Sequence, residues 1–465
     1  MIFFNLVFLL LIPFLFGLLI LALLLGKRFE NYPIIEKIGL SFPIGLGFIA
    51  LIMFLLGAFN IPLTLLSILI VIFTIFLLVS TYLIKSRPPI FFLAALKFKV
   101  SKFSVLEIIM LVLIIIKVVF VYFSAVIKPL IDVDSFQFYS IVAKEIFFRH
   151  NFTDLYTTQF YGDKPLLPFL QQGWSFLALN ASNDALFKII YPTFFLCLLL
   201  IFYSVLRRSF TRSYSLLFTW LLSALPFIIY HATTAYADLT ITLYYASAAF
   251  YLFLFMKNKE QDFAMVGFTM LGFAVWSKKA GLILAIVVIL VLLAYIFFKD
   301  RTAWKKLTVP VLIFMIIILP WLVLGRTGTY EAVIRNIVGH QTSLSPSSSA
   351  LVQSQPEESK LPVILSIFER KLFLYGDWQL TWALFIAALL FFPRRIFSSP
   401  YYFLLAIIFL DMLSLFVQFG SGETLRWLLD GTLFDRLLMN EVPVVLFFCA
   451  EVIFDKNHHA ASRPL

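Results

Sequence analysis

Two carboxylates one residue apart, Asp132 and Asp134, follow a long apolar run that ends near Ile127. A charged side chain is costly wherever lipid could cover it, so an acidic pair at such a boundary marks a functional site by default. In an extended stretch the two side chains point to opposite faces. One could then reach a substrate while the other coordinates an ion or caps the next helix; the plainer alternative is that one of them is only an N-cap. A second charged group, Glu423, Arg426, Asp435 and Arg436, gathers near the C-terminal end. There an edge ion pair between an acid and a nearby Arg competes with a role in binding. His231 and His340 are single histidines in different loops without metal-ligand spacing, so no zinc site is expected. Cys197 and Cys449 sit inside apolar runs and read as core residues, not as a disulfide or a thiolate metal site.

The elements that must position these groups are set by composition. Hydrophobic residues make up 62% of 465 and charged residues 13%, with a mean hydropathy of +1.00. A soluble fold could not hide that much apolar side chain. Spanning a bilayer takes about 20 apolar residues at 1.5 Å rise each, and such runs recur along the chain. A walk along the sequence gives thirteen candidate spans, at 3–25, 38–58, 62–84, 104–127, 184–206, 213–231, 238–256, 263–277, 280–298, 307–325, 377–393, 399–419 and 437–455. The first lacks the basic start and small-residue cleavage site of a signal peptide, so it is kept as a membrane helix.

Orientation follows from the short loops. Lys27, Arg28 and Lys37, then Lys85, Arg87, Lys97, Lys99 and Lys102, then Arg207, Arg208 and Arg212, Lys257 and Lys259, Lys299 to Lys306, and Arg394 with Arg395 all fall on one side when the spans alternate. The positive-inside rule makes that side cytoplasmic. Much of the net charge of +11 is accounted for by this topology, so it is no sign of nucleic-acid binding.

The outer side then carries two long loops, 128–183 and 326–376. The first is dense in aromatics, acids and bases. Its segment Ser135 to Arg149 has a rough helical period that suits a helix lying on the membrane surface. Leu166 to Leu179 reads as a second surface or partly inserted helix, with Trp174 at headgroup depth. The second loop contains a polar, Ser-rich stretch too poor in apolar residues to pack.

The series DVDSFQFYSIVAKE, GDKPLLPFL, AYADLTITLYYASAAFYL and GFAVWSKKAGLILAIVVIL resembles the integral membrane glycosyltransferases of the GT-C superfamily. Within it, the likeness is to the branch of protein O-mannosyltransferases and lipid A aminoarabinose transferases. It covers about residues 104 to 300 in matched order, and 300 to 455 more loosely. The resemblance implies an all-α bundle of about thirteen spans with amphipathic surface helices in the first large outer loop. It also implies transfer of a sugar from a polyprenyl-phosphate carrier to a hydroxyl acceptor, a protein, lipid or glycan, on the non-cytoplasmic face of the plasma membrane. No nucleotide sugar and no nucleic acid would take part.

Carried over position by position, Asp134 matches the family's loop acid and is the expected catalytic base, with Tyr139 at the Tyr or His position that follows. Asp132 completes a D-x-D pattern and would assist or help hold a divalent cation, magnesium or manganese. Asp238, with Tyr236 beside it, matches the second acidic position, a metal ligand in some relatives, so a cation held by Asp132 and Asp238 stays open. Lys164 matches the Lys that approaches the carrier phosphate, although the motif here reads KPL and not KPP. Lys278 and Lys279 keep the charge of the tip that reads TKPEG in relatives, while its acid is lost. Arg436 fits the Arg that precedes the last core span, and Arg326 is a further cation for the phosphate.

The chemistry asks for these types: a base for a poorly nucleophilic alcohol, a carboxylate near an oxocarbenium-like centre, and cations for the leaving phosphate. A single displacement would invert the anomeric centre. Two rivals fit the same composition. A lipid or sugar transporter, or flippase, would place ionisable groups near the midplane, where Asp411 is the main acid, and would tend to show an inverted repeat. An O-antigen polymerase or ligase would rest on Arg-rich loops. The organisation expected is an N-terminal three-helix membrane extension (1–103), a catalytic membrane core (104–325), the outer loop with its surface helix (326–376), and C-terminal helices with a short tail (377–465).

Overall fold

The computed structural model describes residues 2–86, 102–152, 164–324, 360–397, 400–420 and 425–454. Arg326, His340, Glu423 and the Ser-rich stretch lie outside the described residues. The long apolar runs become helices because hydrocarbon offers no partner to a backbone N–H or C=O, and a helix satisfies its own. Among the described residues there is no strand, and nine helices are long and apolar enough to cross a membrane. The protein is an integral membrane protein of all-α class.

In chain order the membrane helices used below are α1 (Ile2–Leu25), α2 (Ile34–Ala58), α3 (Leu65–Ser86) and α4 (Val105–Ile127). The loop that follows carries α5 (Ser140–Arg149) and α6 (Leu167–Leu179). Then come α7 (Ile190–Arg207), α8 (Arg212–Ser223), α9 (Pro226–His231), α10 (Asp238–Asn258), α11 (Gln261–Ser277), α12 (Lys279–Lys299) and α13 (Trp304–Leu324). The C-terminal part holds α14 (Lys360–Glu369), α15 (Thr381–Phe391), α16 (Tyr401–Gly420), α17 (Phe434–Leu438) and α18 (Val442–Phe454). The expected spans at 213–231, 263–277, 377–393 and 437–455 fall on the shorter helices α8 with α9, α11, α15 and α18.

Helix α10 is the axis of the bundle: its most apolar window is 100% buried. It packs against α7, α11, α12, α16 and α18. Of the three helices expected as an N-terminal extension, α1 and α2 pack into the body of the protein against α6 and α7, while α3 is largely exposed. The α1–α2 crossing is close because glycines face backbone. A Cβ on Gly17 would lie 1.8 Å from the Ser41 carbonyl oxygen, and one on Gly45 would lie 1.8 Å from that of Pro13. Small residues permit such approach, and dispersion between the backbones does the rest.

The loop after α4 folds as expected in outline, with differences in detail. Ser135–Tyr139 forms a π-helical turn that leads into α5. Helix α6 is enclosed by protein: every one of its residues is buried, and it packs against α5, α1 and α2. Trp174 is 0% exposed, and its ring N–H donates to the Leu9 carbonyl at 3.2 Å. The polar side chains of α6 are spent inside the protein. Gln171 donates to the Tyr244 hydroxyl at 3.1 Å, and Gln172 donates to the Tyr191 hydroxyl at 2.5 Å and to the Ala235 carbonyl at 3.2 Å.

The opposite end of the bundle is laced by ion pairs: Arg208 with Glu36 at 2.8 Å, Lys257 with Glu451 at 2.8 Å and Arg212 with Glu107 at 2.6 Å. Glu107 also closes a capping box with Ser104 at the start of α4.

Candidate active site

Asp238 opens α10, where the helix dipole favours a carboxylate. Its side chain is 0% exposed, yet two cations meet it there. Lys278 Nζ lies 2.6 Å from Oδ1, and Arg436 reaches Oδ2 through Nη2 at 2.8 Å and Nε at 3.1 Å. The third Arg436 nitrogen, Nη1, donates to Asp134 Oδ2 at 2.6 Å. One guanidinium thus joins the loop acid after α4 to the acid at the head of α10. Asp134 is the open member, with a side chain 39% exposed against 17% for Arg436.

Local structure explains each placement. Lys278 is the single extended residue between α11 and α12. Gly281 lets α12 start hard against α11, since a Cβ there would lie 2.0 Å from the Ala274 carbonyl oxygen. The stretch before α10 is pinned at Ala235: its N–H donates to the Ser135 hydroxyl at 3.0 Å, and its carbonyl takes the Gln172 amide. Arg436 comes from the short helix α17 and lies over the Tyr236 ring, 4.8 Å from its centroid. Burial pushes the Lys278 ammonium below its usual value, with Asp238 opposing. Burial alone would also lower Arg436, but the Asp238 and Asp134 carboxylates outweigh it and hold the guanidinium above its ordinary value.

Asp132 does not share this cluster. It pairs with Lys128 at 3.0 Å and accepts from the Tyr230 hydroxyl, and its side chain is 12% exposed. The two acids diverge as expected, but the cause is different. Asp134 has helical dihedrals, not extended ones, and residues two apart on a helix are roughly 200° apart around it. Tyr139 is buried by Phe169, Phe138 and Tyr236, and that burial raises its hydroxyl. Lys164 sits over the Phe138 ring, 3.7 Å from the centroid. Lys279 is exposed. Among the described residues, Asp435 pairs with Lys371 and with no arginine.

The structure therefore brings together Asp134, Asp238, Lys278, Arg436 and Tyr236, with Tyr139 ringed behind Tyr236. It keeps Asp132 in a separate contact. Sequence reasoning missed Tyr230, Ser135 and Gln172, which position the acids and the Ala235 turn; none carries a spacing signal. His231 is buried among Phe227, Tyr230 and Tyr236. Asp132 and Asp238 are each already engaged by cations, and among the described residues no three His, Cys, Asp or Glu side chains gather as metal ligands. This donor set is that of an ion-pair cluster and does not fit a cation shared by those two acids.

No family model matches the chain, and no curated protein matches it. Among solved structures, ArnT from Cupriavidus metallidurans in the apo state is similar, with a TM-score of 0.50 at 16% identity, over 74% of this chain and 59% of that one. The chain spans about three-fifths of the length of that structure. The likeness is one of fold: this chain shares an all-helical membrane architecture with that structure.

Proposed function

We propose that the protein is a membrane glycosyltransferase that moves a sugar from a polyprenyl-phosphate carrier to a hydroxyl acceptor on the extracytoplasmic face of the plasma membrane. The observation that carries this reading is Arg436 joining an open carboxylate, Asp134, to the buried Asp238–Lys278 pair. A base and a concentration of cationic donors within one guanidinium's reach is what transfer from a phosphate requires.

Asp134 takes the proton of the acceptor hydroxyl as its oxygen bonds to the anomeric carbon. The bond from that carbon to the phosphate oxygen breaks, and the phosphate leaves with the electron pair. Arg436 and Lys278, which Asp238 holds, meet the charge it gathers by their positive field beside the site. Lys164 approaches from the loop. Their value rises where water is scarce. A single displacement inverts the anomeric centre. Asp238 holds both cations in place and does not itself react.

The test compares lipids and glycans by mass spectrometry in cells with and without the protein, followed by transfer with purified protein. A polyprenyl-phosphate sugar that accumulates without the protein, and whose glycosyl mass moves to a second molecule when the protein is added, is the expected result. Translocation of the carrier without transfer would overturn the reading.

A further inference from the structure

Helix α4 carries a charge in the middle of its apolar run. From Ile108 to Ile127 the sole Lys, Arg, Asp or Glu is Lys117. It stands twelve residues after Val105 and ten before Ile127, so about 18 Å and 15 Å from the two ends of the helix. With a hydrocarbon core about 30 Å thick, that is close to the midplane. A lysine stem reaches about 6 Å and leans toward the start of its own helix, here the farther end, so the ammonium does not snorkel to water.

The protein offers this ammonium nothing in exchange. Among the described residues no hydrogen bond, ion pair or aromatic ring meets it, and its helical neighbours Leu113, Ile114, Phe120 and Val121 are apolar. Elsewhere charge on the membrane helices is matched: Glu36 pairs with Arg208, Glu107 with Arg212, and Asp238 with two cations. The buried face of α4, with Met110, Ile114 and Val121 at its centre, packs against α7 and α8. Lys117 is half-buried at the margin of that face, beside a row of exposed residues seven apart, Leu106, Leu113 and Phe120. Only 17% of the most apolar window of α4 is buried, so the helix is open along this row. Acyl chains cover Leu and Phe as well as a protein does. They do not answer an ammonium, and an ionisable group at this depth is paired as a rule.

We propose that this face of α4 docks a membrane-spanning helix of another protein, which brings an Asp or Glu near its own middle to Lys117. The row Leu106, Leu113 and Phe120 has the seven-residue repeat of two helices crossing at a shallow left-handed angle, and Lys117 flanks it where such pairs exchange ions. A second copy of this chain does not supply the acid. Among the described residues the carboxylates on the membrane-long helices, Glu36, Glu107, Asp238 and Asp411, are all buried. A lipid phosphate does not supply it either, because headgroups lie at the ends of such a helix and not at its middle. Docking here uses none of the residues assigned to glycosyl transfer and holds whether or not that assignment does.

The experiment uses the full chain in its native membranes. The photo-cross-linker p-benzoylphenylalanine takes the place of Leu113, of Phe120 or, as a lipid-facing control, of Leu290 on α12, which is 58% exposed. A discrete adduct with one other protein is expected from Leu113 and Phe120 and not from Leu290. Its yield should fall about 5- to 30-fold in Lys117→Leu, the worth of a polar contact between helices in lipid, and persist in Lys117→Arg. The cross-linked protein, identified by mass spectrometry, should carry Asp or Glu near the middle of a span. Changing that acid to Lys should abolish the adduct, and Lys117→Glu in the same cells should restore it. In detergent, Lys117→Leu should melt no lower than the wild type, because the lysine makes no contact within the chain. No adduct at either position, an adduct indifferent to Lys117→Leu, a partner without a membrane carboxylate, or an adduct within this chain or to its second copy would each overturn the proposal. A lysine that faces only lipid gives the first of these outcomes.

Discussion

Asparagine at position 134 and asparagine at position 238 should separate chemistry from architecture. Asp134 makes one ionic contact, at 2.6 Å to Arg436, with a side chain 39% exposed. A pair that open is worth about 0.2–1 kcal/mol, and an Asn oxygen can still accept from Nη1. Asp238 is 0% exposed and faces two cations at 2.6 and 2.8 Å. Removing its charge leaves Lys278 without a counter-ion and Arg436 with the open Asp134 alone, which costs about 3–5 kcal/mol. At about 2.1 cal/mol/K per residue, a chain of 465 residues has an unfolding entropy near 1 kcal/mol/K. Asp134→Asn should therefore melt within about 1 °C of the wild type, and Asp238→Asn about 3–5 °C lower. Turnover should behave in the opposite sense for the first variant, since loss of a general base costs about 10²–10⁴ in rate. Both quantities can be read from one preparation. Melting follows tryptophan fluorescence, and transfer follows the glycosyl mass lost from polyprenyl-phosphate sugars extracted from native membranes. Turnover in Asp134→Asn within tenfold of the wild type would refute its role as base, and a melting loss equal to that of Asp238→Asn would make it a structural acid.

Further outcomes follow from the same cluster. Arg436→Lys keeps the charge but loses the fork that serves two carboxylates, so transfer should drop about 10- to 100-fold, the equivalent of one or two charged hydrogen bonds; unchanged kinetics would show that charge alone suffices. Because burial lowers Lys278, its proton leaves below the ordinary lysine value. A pH profile should then show transfer lost as pH rises through that lowered value, and Lys278→Arg should move the limb upward. Stability drifts the other way in that window, rising with pH, because the unfolded chain binds the proton that the folded one has released. Gly281→Val drives a side chain into the Ala274 carbonyl and must shift the start of α12. Transfer should fall with it, and the alkaline limb should return toward the ordinary lysine value as Lys278 parts from its buried site; an unaltered profile would show that this close packing does not hold Lys278.

The sequence made the bundle readable and left the cluster half-visible. Runs of Leu, Ile and Phe report helices because lipid leaves the backbone no alternative, and the Lys and Arg of the short loops sort the ends. Asp134, Asp238, Lys278 and Arg436 could each be picked out, but the bond from Arg436 to Asp134 joins residues 302 positions apart. No local pattern encodes a contact at that separation. The same limit explains α6. Its apolar residues fit either a lipid surface or a protein interior, and only the pairing of Gln171 and Gln172 with distant tyrosines reveals which. For Asp435, an ion pair with a nearby arginine and a role for that arginine in binding are equally open from the sequence. The fold instead supplies Lys371 from the segment after α14, which frees Arg436 for the acids on the other side.

The enclosure of α10 has a consequence for how the protein meets its surroundings. No face of the helix that carries Asp238 is offered to acyl chains. Thickening or thinning the bilayer would load the peripheral helices α3 and α4 first, where tilting can absorb the mismatch. Reconstitution into lipids of shorter or longer tail should therefore alter the fit of the protein in its membrane before it alters the spacing of the charged groups at the head of that helix.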